Sequence, residues 1–214
     1  MLVGERMTKR PITTAPDTPI EEALKVMRES KVRRLPVLDK AGKLVGIVAE
    51  KDLLYVSPSP ATSLSIHELH YLISKIKVQS VMTEDVITVT EYTPIEEAAR
   101  IMADNKIGSL PVMRDGKLVG IITETDLFCI FLELLGAREK GIRLTMLVPE
   151  QANTLATITR EIAEMGGNIV SLGTFLGDDP TNRLITAKVT EVGKDELVSA
   201  MEAMGMEVVD VREI

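Results

Sequence analysis

Ile20, Ala23, Leu24 and Met27 fall at the three- and four-residue steps of a helix with one apolar face, and Ile95, Ala98, Ala99 and Met102 repeat the pattern. Both stretches open on Thr-Pro-Ile-Glu, at Thr18 and at Thr93. There the threonine hydroxyl is placed to cap the helix, proline suits the first helical position, and glutamate completes a capping box. A short strand is predicted before each, over residues 11–14 and 86–90. Two apolar runs follow, residues 35–38 and 44–49 in the first stretch, and read as strands joined by a turn at Ala41-Gly42. The second stretch turns at Asp115-Gly116, a pair suited to a type I′ hairpin. A last helix opens near Glu50 and again near Glu124. The predicted unit is β-α-β-β-α, about 50 residues long and too small to be comfortably stable alone.

The two stretches are copies of each other. A shift of 75 residues lays Met7-Thr8 on Met82-Thr83, residues 18–23 on 93–98, and Leu35-Pro36-Val37 on Leu110-Pro111-Val112. After one deletion near Ala41, residues 42–47 fall on 116–121 and Asp52-Leu53 on Asp126-Leu127. Two copies and no more argue for a duplicated domain closed by internal pairing rather than an open solenoid. The crevice between the copies is therefore the first place to look for a ligand.

The pattern then changes. Residues 142–148 read as a strand, and 153–165 as a helix stopped by Gly166-Gly167. A strand pair over 169–175 and 183–190 surrounds Asp178-Asp179-Pro180, followed by a helix over 196–204 and a strand over 207–211. That order, β-α-β-β-α-β, is ferredoxin-like. The fold class is α+β. The chain divides into repeats at 1–56 and 78–135, a linker at 57–77 with a helix over 66–75, a charged linker at 136–141, and a tail at 142–214.

Composition narrows the function. The formal net charge of −7 speaks against nonspecific binding to nucleic acid or an anionic membrane, though a local basic patch can still hold a small anion. No apolar run reaches the ~20 residues of a membrane span, and residues 1–10 lack the pattern of a signal peptide. Cys129 is the single cysteine, which excludes an intramolecular disulfide and points to a reducing cytoplasm. Its apolar surroundings, Leu127 to Phe131, read as core. Met27, Met102, Met165, Met201 and Met204 fall on apolar helix faces and read as core filler.

His67 and His70 stand three residues apart, where a zinc-protease helix needs a spacing of four, and the chain holds no third histidine. No metal site is expected. Neither a phosphate-loop motif nor a nucleophile–base pair is present, so no catalytic residue is expected either.

The repeat resembles the CBS domain, and two in tandem resemble a CBS pair, or Bateman module. The resemblance is carried by Val81-Met82-Thr83, Leu110-Pro111-Val112 and residues 120–126, each echoed in the first copy. The tail resembles an ACT domain through residues 147–150, 155–158 and 164–169, and the order CBS–CBS–ACT is similar to the acetoin-utilisation B-type proteins. In ACT domains that bind amino acids, a glycine usually follows the first strand. Asn153 stands there instead and reads as a helix cap, so assembly is the safer role for the tail.

The resemblance implies an adenine nucleotide in the cleft: AMP or ADP first, with ATP or S-adenosylmethionine as alternatives. It implies that Asp126 accepts bonds from the ribose hydroxyls and that Thr123 helps hold phosphate. Asp52 is the equivalent acceptor in the first copy, where Ala49 has lost the hydroxyl. The two residues before Leu-Pro-Val supply the phosphate end of the other copy's site. Arg33, Arg34 and Lys51 are thus expected to face Asp126, and Asp52 to face Gly108 and Ser109. The Asp126 site is expected to bind more strongly. Adenine is expected against Ile12, Val32 and Ile121. The resulting reading is a cytoplasmic, non-enzymatic sensor, a homodimer acting on an unidentified regulated protein. Its rival is an interaction scaffold with a vestigial cleft.

Overall fold

The computed structural model describes residues 1–56 and 75–214. Two compact units divide the chain, Met1–Leu127 and Phe128–Ile214.

In the first unit, α1 (Val3–Arg6) and β1 (Thr8–Lys9) lead to α2 (Ile20–Glu29), the hairpin β2 (Arg34–Leu38) and β3 (Leu44–Ala49), and α3 (Glu50–Tyr55). The second copy supplies β4 (Val89–Thr90), α4 (Ile95–Asn105), β5 (Ser109–Arg114) and β6 (Lys117–Thr123). Then α5 (Glu124–Leu134) begins. The apolar positions read from the sequence are buried: Ile20, Ala23 and Met27 with Leu35, Val37 and Val48, and Ile95, Ala98 and Met102 beside Leu110, Val112 and Ile122. Asp115 and Gly116 both take positive φ, as a type I′ turn requires.

Each copy is completed by the arm that precedes the other. Strand β1 pairs antiparallel with β6, Thr8 opposite Ile121 and Lys9 opposite Gly120. Ile47 of β3 forms the equivalent bridge with Thr83. Val78, fully buried, joins the core of the first copy. The expected first strands are correspondingly short. Among the described residues, 11–14 retain a bridge from Thr14 to Val37 alone, while Thr8 and Lys9 pair with the sheet of the second copy.

Thr18 and Thr93 do not cap their helices. The helix caps are Pro19 and Pro94, without a side-chain bond. Thr18 Oγ1 instead accepts from Ala15 N–H at 3.3 Å, and Thr93 Oγ1 from Thr90 N–H at 3.2 Å. Each hydroxyl closes the turn before the helix, which satisfies the same oxygen one residue earlier than the capping box would.

The second unit runs β7 (Ile142–Pro149), α6 (Thr154–Glu164), β8 (Asn168–Leu176), β9 (Asn182–Thr190), α7 (Lys194–Ala203) and β10 (Glu207–Glu213). Its sheet order is β10-β7-β9-β8, the ferredoxin-like arrangement. Gly166 takes φ +78° and ends α6, as expected. Asn153 stands at the cap but in a left-handed conformation with no side-chain cap bond. Lys188 is 3% exposed, and its ammonium donates to the carbonyls of Gly136 and Glu139, both at 2.8 Å.

Cys129 corrects the sequence reading, for it is exposed. No residue of helix α5 is buried, on either side of Leu127. His67, His70 and nearly all of the expected helix over 66–75 lie outside the described residues. Among the described residues no helix is long and apolar enough to cross a membrane.

Candidate functional site

Two duplicated joints set the geometry of the cleft. Glu50 N–H donates to Arg33 O at 2.9 Å, and Glu124 N–H to Gly108 O at 3.1 Å. These bonds fix the start of each last helix beside the residues that precede Leu-Pro-Val. The carboxylates Asp52 and Asp126 are each carried in the first turn of such a helix.

The two carboxylates are held differently. Asp126 Oδ2 accepts from both the amide and the hydroxyl of Thr123, each at 2.8 Å. Among the described residues, Asp52 Oδ2 accepts the amide of Ala49 alone, at 3.1 Å. The Thr123 hydroxyl is therefore spent on Asp126, and the loss of a hydroxyl at Ala49 leaves Asp52 with more free acceptor capacity.

Asp52 lines a cavity of about 420 Å³ between the copies. One side is Ile47 with Thr83, Asp85, Val86 and Ile87 from the second arm. The other gathers Arg34, Lys106, Ile107, Gly108, Ser109 and Glu124, with Lys51 from the same helix as Asp52. A volume in this range suits a nucleotide-sized ligand, and its lining mixes apolar side chains with charged ones. Arg34, Lys51 and Lys106 balance Asp52, Asp85 and Glu124, so an anion arriving here meets cations that already have carboxylate neighbours.

Arg34 is the main departure from the crossed arrangement expected of the sequence. Asp52 does face Gly108 and Ser109, but Arg34 and Lys51 line the same cavity. The cause is Gly108: a side chain there would collide with the Arg34 guanidinium and with Glu124. With no side chain at 108, Arg34 reaches over from the first copy into the space the second leaves open. Its nearest charged partner is Glu124, 3.9 Å away, with Arg34 28% and Glu124 58% exposed.

The other expected residues are more dispersed. Arg33 is exposed, and Val32 packs partly against the first core. Ile121 is 7% exposed beneath β1, and Ile12 is 41% exposed. The repeat register could have found what sequence reading missed. Ile12 and Ile121 correspond to Ile87 and Ile47, both on the Asp52 cavity. Lys106 corresponds to Lys31, and both take φ +54° after their helices. Among the described residues no cluster of three or more potential metal ligands forms.

A second cavity, about 470 Å³, lies in the C-terminal unit around Pro149, Asn153, Thr154 and Arg183. Its lining cation, Arg183, is bonded to Glu150. Arg183 is the one cation among its described lining residues, where the Asp52 cavity has Arg34, Lys51 and Lys106.

The CBS domain family matches residues 3–59 and 78–133. A putative acetoin utilization protein (AcuB) from Vibrio cholerae is 32% identical, with a TM-score of 0.53 over 65% of this chain and 96% of that one. The CBS domain pair of protein MJ0100, in complex with 5′-methylthioadenosine and S-adenosyl-L-methionine, is 29% identical, with a TM-score of 0.52 over 65% and 98%. CBSX2 in complex with AMP is 36% identical, with a TM-score of 0.51 over 61% and 96%.

Proposed function

The chain belongs to the CBS-domain family, and from that premise we propose that it is a regulatory sensor of an adenine nucleoside ligand bound between its two repeats. The carrying observation is the Asp52 cavity, where one carboxylate with free acceptor capacity shares a pocket with Arg34, Lys51 and Lys106. Asp52 takes the ribose hydroxyls, Ile47, Val86 and Ile87 face the adenine, and the cations take the 5′ substituent. AMP or ADP is the first choice, with S-adenosylmethionine and ATP behind them; relatives hold AMP or S-adenosylmethionine. Asp126, with Thr123, Arg33, Ile12, Val32 and Ile121, offers a second acceptor in the duplicated frame.

The signal is a change in the relative placement of the two repeats, which a ligand touching both would bias. The reading includes no catalytic step. It includes a homodimer, supported by Phe128, Phe131 and Leu134 of α5, which are 68%, 48% and 63% exposed. The C-terminal unit, ACT-like in this reading, assists assembly or takes a second effector. The test is a thermal-shift panel of adenosine, AMP, ADP, ATP and S-adenosylmethionine on the whole chain. Stabilisation by at least one adenine ligand supports the sensor, and stabilisation by none favours a scaffold with a vestigial cleft.

A further inference from the structure

Glu124 lines the Asp52 cavity together with Arg34. Its carboxylate lies 3.9 Å from the Arg34 guanidinium. Both groups crowd the position that a side chain at Gly108 would fill, and the Glu124 amide is tied to the Gly108 carbonyl at 3.1 Å. In the pose proposed above, Asp52 takes the ribose and Ile47 and Ile87 face the base, which leaves the Arg34–Glu124 corner for the 5′ substituent.

We infer that Glu124 is the specificity-determining residue of this cavity, selecting the ligand by the charge of its 5′ substituent; the inference rests on the adenine-nucleoside site proposed above. A 5′ phosphate must take Arg34 from the Glu124 carboxylate and then lie beside that carboxylate. Like charges a few ångströms apart at a partly exposed site repel appreciably. A neutral 5′ group bears no such cost, and a cationic sulfonium gains from the same carboxylate. Each added phosphate raises that cost, so Glu124 offsets more of the attraction of Arg34, Lys51 and Lys106 for ATP than for AMP. Glu124 acts by charge rather than by volume, because more than half of its side chain is open to solvent.

The test uses the full chain and three ligands of one scaffold: adenosine, AMP and S-adenosylmethionine. Calorimetric titration is run on the wild type, Glu124→Gln and Arg34→Gln. Glu124→Gln is expected to tighten AMP about fivefold, leave adenosine within about twofold and weaken S-adenosylmethionine. Arg34→Gln is expected to weaken AMP by about fivefold or more with adenosine little changed. Added salt should shrink the AMP effect of Glu124→Gln. If Glu124→Gln leaves AMP unchanged, or moves AMP and adenosine alike while the wild type binds both, the charge-selecting role is overturned and the site stands. If the wild type binds none of the three, the site itself falls, and the role of Glu124 with it.

Discussion

The Arg34 guanidinium occupies the space that a side chain at residue 108 would need, so an arginine of the first repeat serves the cavity through a gap in the second. The second residue before Leu-Pro-Val is Arg33 in one copy and Gly108 in the other, and the missing side chain at Gly108 lets Arg34 cross the boundary. Two copies of one unit therefore give Asp52 and Asp126 unequal surroundings.

Gly108→Ala should push Arg34 out of the cavity. The collision is with the far end of a flexible side chain and with the exposed Glu124 carboxylate, so folding should survive with little change in melting temperature. AMP affinity should fall about tenfold, or ~1.4 kcal/mol. In an Arg34→Ala background the same substitution should cost almost nothing more, because both changes remove one contact. Calorimetry on the four proteins checks this.

The buried Lys188 predicts a stability effect. Lys188→Met keeps much of the side chain's bulk but leaves the carbonyls of Gly136 and Glu139 without their shared donor. The expected loss is about 2 kcal/mol, the scale of leaving buried acceptors unpaired. Denaturant unfolding measures it, and hydrogen exchange should show the change concentrated in the C-terminal unit. Nucleotide affinity should stay within about twofold.

The swapped arms give a third prediction. Gly120 lies against Met7, and Gly46 against Met82, at the duplicated joints. Gly120→Val would force Met7 aside and loosen β1 from β6. About 1–3 kcal/mol of stability should be lost, as for other overpacked contacts. Hydrogen exchange at Thr8 and Lys9 should accelerate. Unchanged exchange there would mean that the arm does not depend on this contact.

Much of the fold was legible in the sequence because its signals are local. Helical spacing at Ile20 to Met27, apolar runs around the Ala41-Gly42 and Asp115-Gly116 turns and Gly166 at a helix end each declare themselves within a few residues. The arm exchange was not legible, since Thr8 meets Ile121 across more than a hundred residues and nothing local in either records the pairing. Cys129 misled for a related reason: an apolar run is the same string of letters whether it faces a core or solvent. At the cavity, the repeat register placed Asp52 opposite Gly108 and Ser109 but assigned Arg34 to Asp126, whereas Arg34 lines the Asp52 cavity. It could not show that the absence of a side chain at Gly108 is what redirects Arg34. Lys106 and Glu124 escaped notice because an ordinary surface lysine and an ordinary helix-start glutamate look the same in sequence.

The central claim is that Asp52 holds the ribose of an adenine nucleotide, and titration of AMP into the wild type, Asp52→Ala and Asp126→Ala tests it most directly. The account predicts saturable AMP binding to the wild type, weakened at least tenfold by Asp52→Ala, a loss of ~1.4 kcal/mol or more for removing a charged acceptor. Asp126→Ala should leave binding at the Asp52 cavity within a few-fold. Full AMP affinity in Asp52→Ala, with binding abolished in Asp126→Ala, would contradict the assignment and move the nucleotide to the other carboxylate.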